Sequence, residues 1–153
     1  MRNILLGACF ALAAAAQTAP DWPKIEAETL RHYQALIRLD TTNPPGNETR
    51  SVAYVERVLD AEGIPSTVLA LEPDRANLVA RLKGSGAKRP ILIMGHTDTV
   101  RVDPAKWIFP PFSATRDAGY VYGRGAVDDK DNLTACLMAM VMLKRSGVKL
   151  DRD

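Results

Sequence analysis

Apolar residues recur at helical spacing over two early stretches of the chain. Ile25, Leu30, Tyr33, Leu36 and Ile37 follow Asp21-Trp22-Pro23, where a proline suits the first helical turn, and predict a helix ending near Leu39. The breaker cluster Asp40-Thr41-Thr42-Asn43-Pro44-Pro45-Gly46-Asn47 predicts a loop. Val52, Val55, Val58 and Leu59 predict a second helix over about 48–62, with Gly63 as its left-handed terminator. The pattern then becomes strand-like at 66–71, 77–82 and 90–94, with short polar separators, so the first two runs are expected to pair antiparallel. Ile91 to Met94 is continuously apolar, as in a strand covered on both faces. Residues 103–119 read as an irregular loop packed by Trp107 and Phe112 among prolines, and Tyr120-Val121-Tyr122 as a short strand. The last element, about 129–146, carries Leu133, Cys136, Leu137, Met140, Val141 and Leu143 and stops at Gly147; so wide an apolar face predicts a central, largely buried helix. The fold class expected is α/β, a mixed and mainly parallel sheet flanked by helices.

The N-terminus changes the picture of where the protein works. Met1-Arg2-Asn3 precedes an alanine-rich apolar run from Ile4 to Ala16, which reads as a secretory signal peptide over 1–16, with Ala14-Ala15-Ala16 as a small-residue cleavage site. Export to the periplasm or beyond is therefore expected. The run is short of the roughly 20 apolar residues a spanning helix needs, so stable membrane insertion is not expected. Leu6-Gly7-Ala8-Cys9 could be read as a lipoprotein box, but too little apolar sequence precedes Cys9. Cys136 would then be the one cysteine of the mature chain, read as a small buried hydrophobe.

Composition excludes several function classes. The 153 residues are 46% hydrophobic and 25% charged with a formal charge of +2, ordinary for a globular domain, and the basic residues form no stripe with interleaved aromatics. Nucleic acid is not an expected partner.

The chemistry concentrates in two motifs. In Gly95-His96-Thr97-Asp98-Thr99-Val100 an apolar run ends in a histidine and a carboxylate, and strand alternation puts His96 and Asp98 on one face. Asp98 can then fix one imidazole nitrogen and leave the other for a metal; a histidine beside a turn-capping aspartate gives the same spacing. In Gly123-Arg124-Gly125-Ala126-Val127-Asp128-Asp129-Lys130 a glycine turn carries two acids into a helix. A dinucleotide-binding turn would need its third glycine where Asp128 stands, and a carboxylate there repels a pyrophosphate. One of Asp128 and Asp129 suits the helix N-cap, and the other can reach a strand end and bridge divalent cations.

Together these motifs, with Trp107, Pro111-Phe112, Gly119 and the Asp40-Thr41-Thr42-Asn43-Pro44-Pro45-Gly46-Asn47-Glu48 loop, resemble the N-terminal part of the catalytic domain of M20-family metallopeptidases, a group of zinc carboxypeptidases, N-acyl-amino-acid hydrolases and desuccinylases. The resemblance covers residues 21–153. It implies a zinc-exopeptidase-like fold, two Zn2+ ions per complete site (Co2+ or Mn2+ as substitutes), and hydrolysis of an amide bond next to a free carboxylate in a small peptide or N-acyl amino acid. It makes His96 a terminal zinc ligand, Asp128 the bridging carboxylate and Asp98 the residue that orients His96. Asp129 and Lys130 support the geometry, and the peptide after Asp128 is expected to be cis. The family's Glu-Glu pair, further acidic ligand and last histidine have no match before Asp153, so this stretch alone is expected to be inactive, and the family's dimerisation domain is likewise not among these residues. His32 is expected to be a surface or helix-packing residue. Two rival classes remain from the sequence: a secreted binding module that keeps the fold without catalysis, and a nucleotide-binding α/β domain that Asp128 disfavours.

Overall fold

The computed structural model describes residues 19–153; the expected signal peptide and Cys9 lie outside them. Helix α1 (Trp22–Ile37) starts at Asp21, whose carboxylate accepts from the Lys24 amide. Helix α2 (Glu48–Ala61) follows the breaker loop. The hairpin of β1 (Ser66–Ala70) and β2 (Ala76–Ala80) is antiparallel as expected, in register Ser66 to Ala80 and Ala70 to Ala76. Its tip is tied to α2 through Thr49, whose hydroxyl donates to Pro73 O and accepts from Ala76 N. The last helix, α3 (Lys130–Ser146), ends at Gly147 in the left-handed conformation.

Leu36 of α1, Val55 and Leu59 of α2, Ile64, and Leu137 and Val141 of α3 form the main core. A smaller cluster of Ile37, Ala114 and Ala126, with Tyr33 and Val121 against it, lies under the turn that carries the acids. Outside the core, Arg145 of α3 binds the carboxylates of both Glu28 on α1 and Glu62 at the end of α2, fastening the three helices at one point.

Three expectations need correction. The α/β class stands, but among the described residues both ladders are antiparallel and the only parallel pairing is a bridge between Thr42 and Thr99. Residues 90–94 form no strand, and Ile91, Leu92, Ile93 and Met94 are 60–79% exposed. A strand of that composition needs neighbours on both edges, and here the one main-chain link from Ile91 runs to Asp153 O. That link belongs to a small seam in which Ser85, Lys88 and Ile91 donate to the carbonyls of Leu150, Asp151 and Asp153. Second, α3 buries one face only: Leu137, Met138 and Val141 are inside, Cys136 is half-buried and Leu143 is exposed. Third, the loop at 103–119 contains a strand, β3 (Thr115–Asp117), paired with β4 (Tyr120–Tyr122). The turn between them has positive φ at both Ala118 and Gly119, the requirement of a tight hairpin.

Candidate metal centre

Two segments meet at the site. The strand-like stretch 96–99 is held by the breaker loop: Asn43 N donates to Thr99 O (2.8 Å), Thr99 N to Thr41 O (3.0 Å) and the Thr41 hydroxyl to Thr97 O (2.5 Å). The acids arrive on the glycine turn. Gly125 has φ 83°, and a Cβ there would come within 2.7 Å of Thr99 Cγ2, so only glycine lets the turn lie this close to the strand. Lys130 anchors the start of α3. It is fully buried, and its Nζ donates to Leu39 O at 2.6 Å. Burial, partly offset by Asp40, pulls its pKa down to about 8.

The result is a row of three side chains. His96 Nδ1 lies 3.0 Å from Asp98 Oδ1, and His96 Nε2 lies 2.9 Å from Asp128 Oδ1. Asn43 Nδ2 reaches the other Asp98 oxygen at 3.5 Å. Asp98 thus stands at one imidazole nitrogen, and the other faces Asp128, whose side chain is 87% exposed. Burial pulls the His96 pKa down, but hydrogen bonds to Asp128 and Asp98 outweigh it and the net shift is upward. Each ring nitrogen has a carboxylate acceptor beside it, so a metal at Nε2 would compete with a proton there, while Nδ1 keeps its bond to Asp98.

The donor set fits a zinc ion. An imidazole whose far nitrogen is held by a carboxylate, facing an exposed second carboxylate, is the preferred presentation for this metal. Ligand atoms on a tetrahedral zinc stand roughly 3.3 Å apart, close to the 2.9 Å here. His96 and Asp128 alone do not make a complete centre. Among the described residues no three histidine, cysteine, aspartate or glutamate side chains converge on one point; Asp98 sits behind the ring. An open cavity of about 280 Å³ adjoins His96 and Asp98, walled by Val52, Val55, Leu78 and Leu133.

His32 is elsewhere. It is buried between α1 and α2, with Nδ1 2.7 Å from the Tyr54 hydroxyl, which makes it the helix-packing residue expected. Asp129 takes the N-cap position of α3 without a side-chain cap bond, and the Asp128-Asp129 peptide is cis, as the resemblance implied. Two contributors escaped the sequence reading. Asn43 sat in the recognised loop, but its contact with Asp98 had no local signature, and Asn132, which links α3 to the His96 strand, was one more polar helix residue.

Comparison with known proteins bears on this geometry. Peptidase family M20/M25/M40 matches residues 92–153, which hold all three site residues. The chain is 34% identical over 134 residues to an N-formyl-4-amino-5-aminomethyl-2-methylpyrimidine deformylase of Halalkalibacterium halodurans, covering 85% of this chain and 31% of that protein. It is 37% identical over 124 residues to a probable succinyl-diaminopimelate desuccinylase of Staphylococcus epidermidis, covering 80% and 29%. An M20 family metallo-carboxypeptidase from Sulfolobus solfataricus superposes with a TM-score of 0.68 at 27% identity, over 78% of this chain and 28% of that one. The chain belongs to the M20 peptidase family. It spans about 30% of the length of these relatives.

Proposed function

We propose that the protein is an exported, zinc-dependent amide hydrolase in which His96 binds one zinc, Asp128 bridges two and Asp98 orients the imidazole. The observation that carries this reading is the Asp98–His96–Asp128 row, an imidazole gripped from behind and presented to an exposed carboxylate. Three relatives named as a deformylase, a desuccinylase and a carboxypeptidase support the class, since each name denotes cleavage of an acyl C–N bond. The remaining donors and the general base belong, in this reading, to the part of the relatives' length that these residues do not match.

Bound zinc would polarise the scissile carbonyl and acidify a water. For their part, the chain's residues prepare the site. Asp98 keeps a proton on His96 Nδ1, so that Nε2 presents its lone pair once deprotonated. Asp128 supplies negative charge at an exposed position where cations concentrate. Substrates are proposed to be small N-acyl amino acids or dipeptides with a free carboxylate beside the cleaved bond.

The test is metal content and turnover of the complete protein beside Asp128→Ala, on a panel of N-acyl amino acids and dipeptides. About two zincs per chain and activity lost in the variant are the expected results for a bridging carboxylate. A wild type with neither metal nor turnover would leave a binding scaffold and remove the hydrolase reading.

A further inference from the structure

The row of three side chains depends on how α3 is set against the extended segment that carries His96, and one small polar bracket sets it. Asp129 Oδ2 accepts the main-chain N–H of His96 at 3.1 Å. The same oxygen accepts from Asn132 Nδ2 at 3.2 Å, and that nitrogen also donates to Met94 O at 3.2 Å. Asn132 Oδ1 in turn faces the Cys136 thiol at 3.7 Å, one turn along the helix, which fixes which end of the amide points at that segment. The bracket therefore grips the main chain on both sides of Gly95. That residue is glycine for a reason in this packing: a Cβ there would lie 3.1 Å from Asp129 Oδ2 and 3.4 Å from Asn132 Nδ2.

We propose that Asp129 and Asn132 are positioning residues that set the separation of His96 Nε2 and Asp128 by clamping the main chain of residues 94–96 to the first turn of α3, Gly95 providing the clearance. This deepens the zinc-site reading and rests on it for its consequence, though not for its geometry. Asp128 and Asp129 are adjacent yet do different things: Asp128 faces the imidazole and Asp129 faces the backbone that carries it. What Asp129 supplies is an acceptor, so its charge is not required. A neutral asparagine keeps an acceptor oxygen for the His96 amide, and alanine does not.

The experiment compares wild type, Asp129→Asn, Asp129→Ala, Asn132→Asp and Gly95→Ala in the complete protein. Two readouts are taken: amide exchange of the 94–96 segment in the metal-free state, and zinc affinity by chelator competition. The unfolding midpoint of each variant serves as a control. Asp129→Ala is expected to speed exchange at His96 and weaken zinc about 10- to 100-fold, the usual effect of losing a residue that orients a ligand, with Asp129→Asn within about threefold of wild type. Asn132→Asp faces Asp129 with a second carboxylate, and Gly95→Ala wedges the bracket open, so both should follow Asp129→Ala. If Asp129→Asn fails as badly as Asp129→Ala, Asp129 acts through its charge and the proposal is overturned. Unchanged exchange and affinity in Asp129→Ala would overturn it as well, and so would losses that only follow the unfolding midpoint. A wild type that binds no zinc would defeat the hydrolase reading, while the exchange data would still decide the bracket. Should Asp129→Ala not fold, Gly95→Ala and Asn132→Asp carry the same comparison.

Discussion

His96 and His32 show how one residue type takes opposite characters from its surroundings. His32 is pulled down by burial and by Arg31, against a weaker pull upward from Glu28. The unfolded chain therefore protonates first as pH falls, so the contribution of His32 to stability is complete above 6.5 and is lost as pH drops through the lowered folded value. In the metal-free chain His96 works the other way: its raised pKa contributes stability below 6.5 that is lost as pH rises through the folded value. The wild-type slope mixes the two, and only a variant separates them. In His32→Phe the acid-side fall of the urea midpoint just below 6.5 should shrink; an unchanged profile would mean that His32 is not the group responsible. For Asp98→Ala, chelator competition should show zinc affinity reduced about 10- to 100-fold with the helical circular dichroism unchanged. His96, Asp98 and Asp128 were legible because each carries its chemistry in its own residue type within a recognisable motif. Asn43 and Asn132 were not, because an amide becomes part of a site only through the carboxylate that the fold brings to it.

Elements were readable where their burial is local. In α1 and α2 the apolar period matches the faces that pack, and the first hairpin follows from its turn residues. β3 escaped because Thr115-Arg116-Asp117 has no apolar alternation; its signal lay in the reversal at Ala118-Gly119. The misjudged width of the α3 face has a similar origin, since sequence gives the apolar residues but not how many neighbours reach them. Leu137, 3% exposed, sits where α3 meets the other helices, and Leu137→Ala should cost about 2–5 kcal/mol in urea unfolding. The Arg145 fastening should be worth less: Arg145→Met is expected to lower stability by about 1 kcal/mol at neutral pH, since its partners are partly solvated. Glu28 and Glu62 are held below the ordinary 4.5 chiefly by hydrogen bonds from Arg145. Their contribution is therefore present above 4.5 and lost as pH falls through the lowered folded values, where wild type and variant should converge.

At the scale of the molecule, the hydrophobic run at 91–94 stands uncovered beside the site, in a chain that spans about 30% of its relatives' length. Contiguous apolar surface of this kind favours association. The 153 residues expressed alone should bind a hydrophobic dye and elute as oligomers in size-exclusion chromatography, and Leu92→Lys should reduce both; a monodisperse, dye-silent monomer would count against it.

The seam between residues 85–91 and 150–153 bears on the order of events during synthesis. Its two sides are separated by the segment that bears His96, the β3–β4 hairpin, the glycine turn with Asp128 and the whole of α3. Closing so long a loop is slow compared with forming a helix or a hairpin. The N-terminal helices and the first hairpin can form while the ribosome is still at work. His96 and Asp128 are set opposite each other only after α3 has emerged, so the candidate site is among the last parts of this fold to assemble. A nascent chain paused before residue 128 would present its histidine to Asp98 alone, with nothing opposite Nε2.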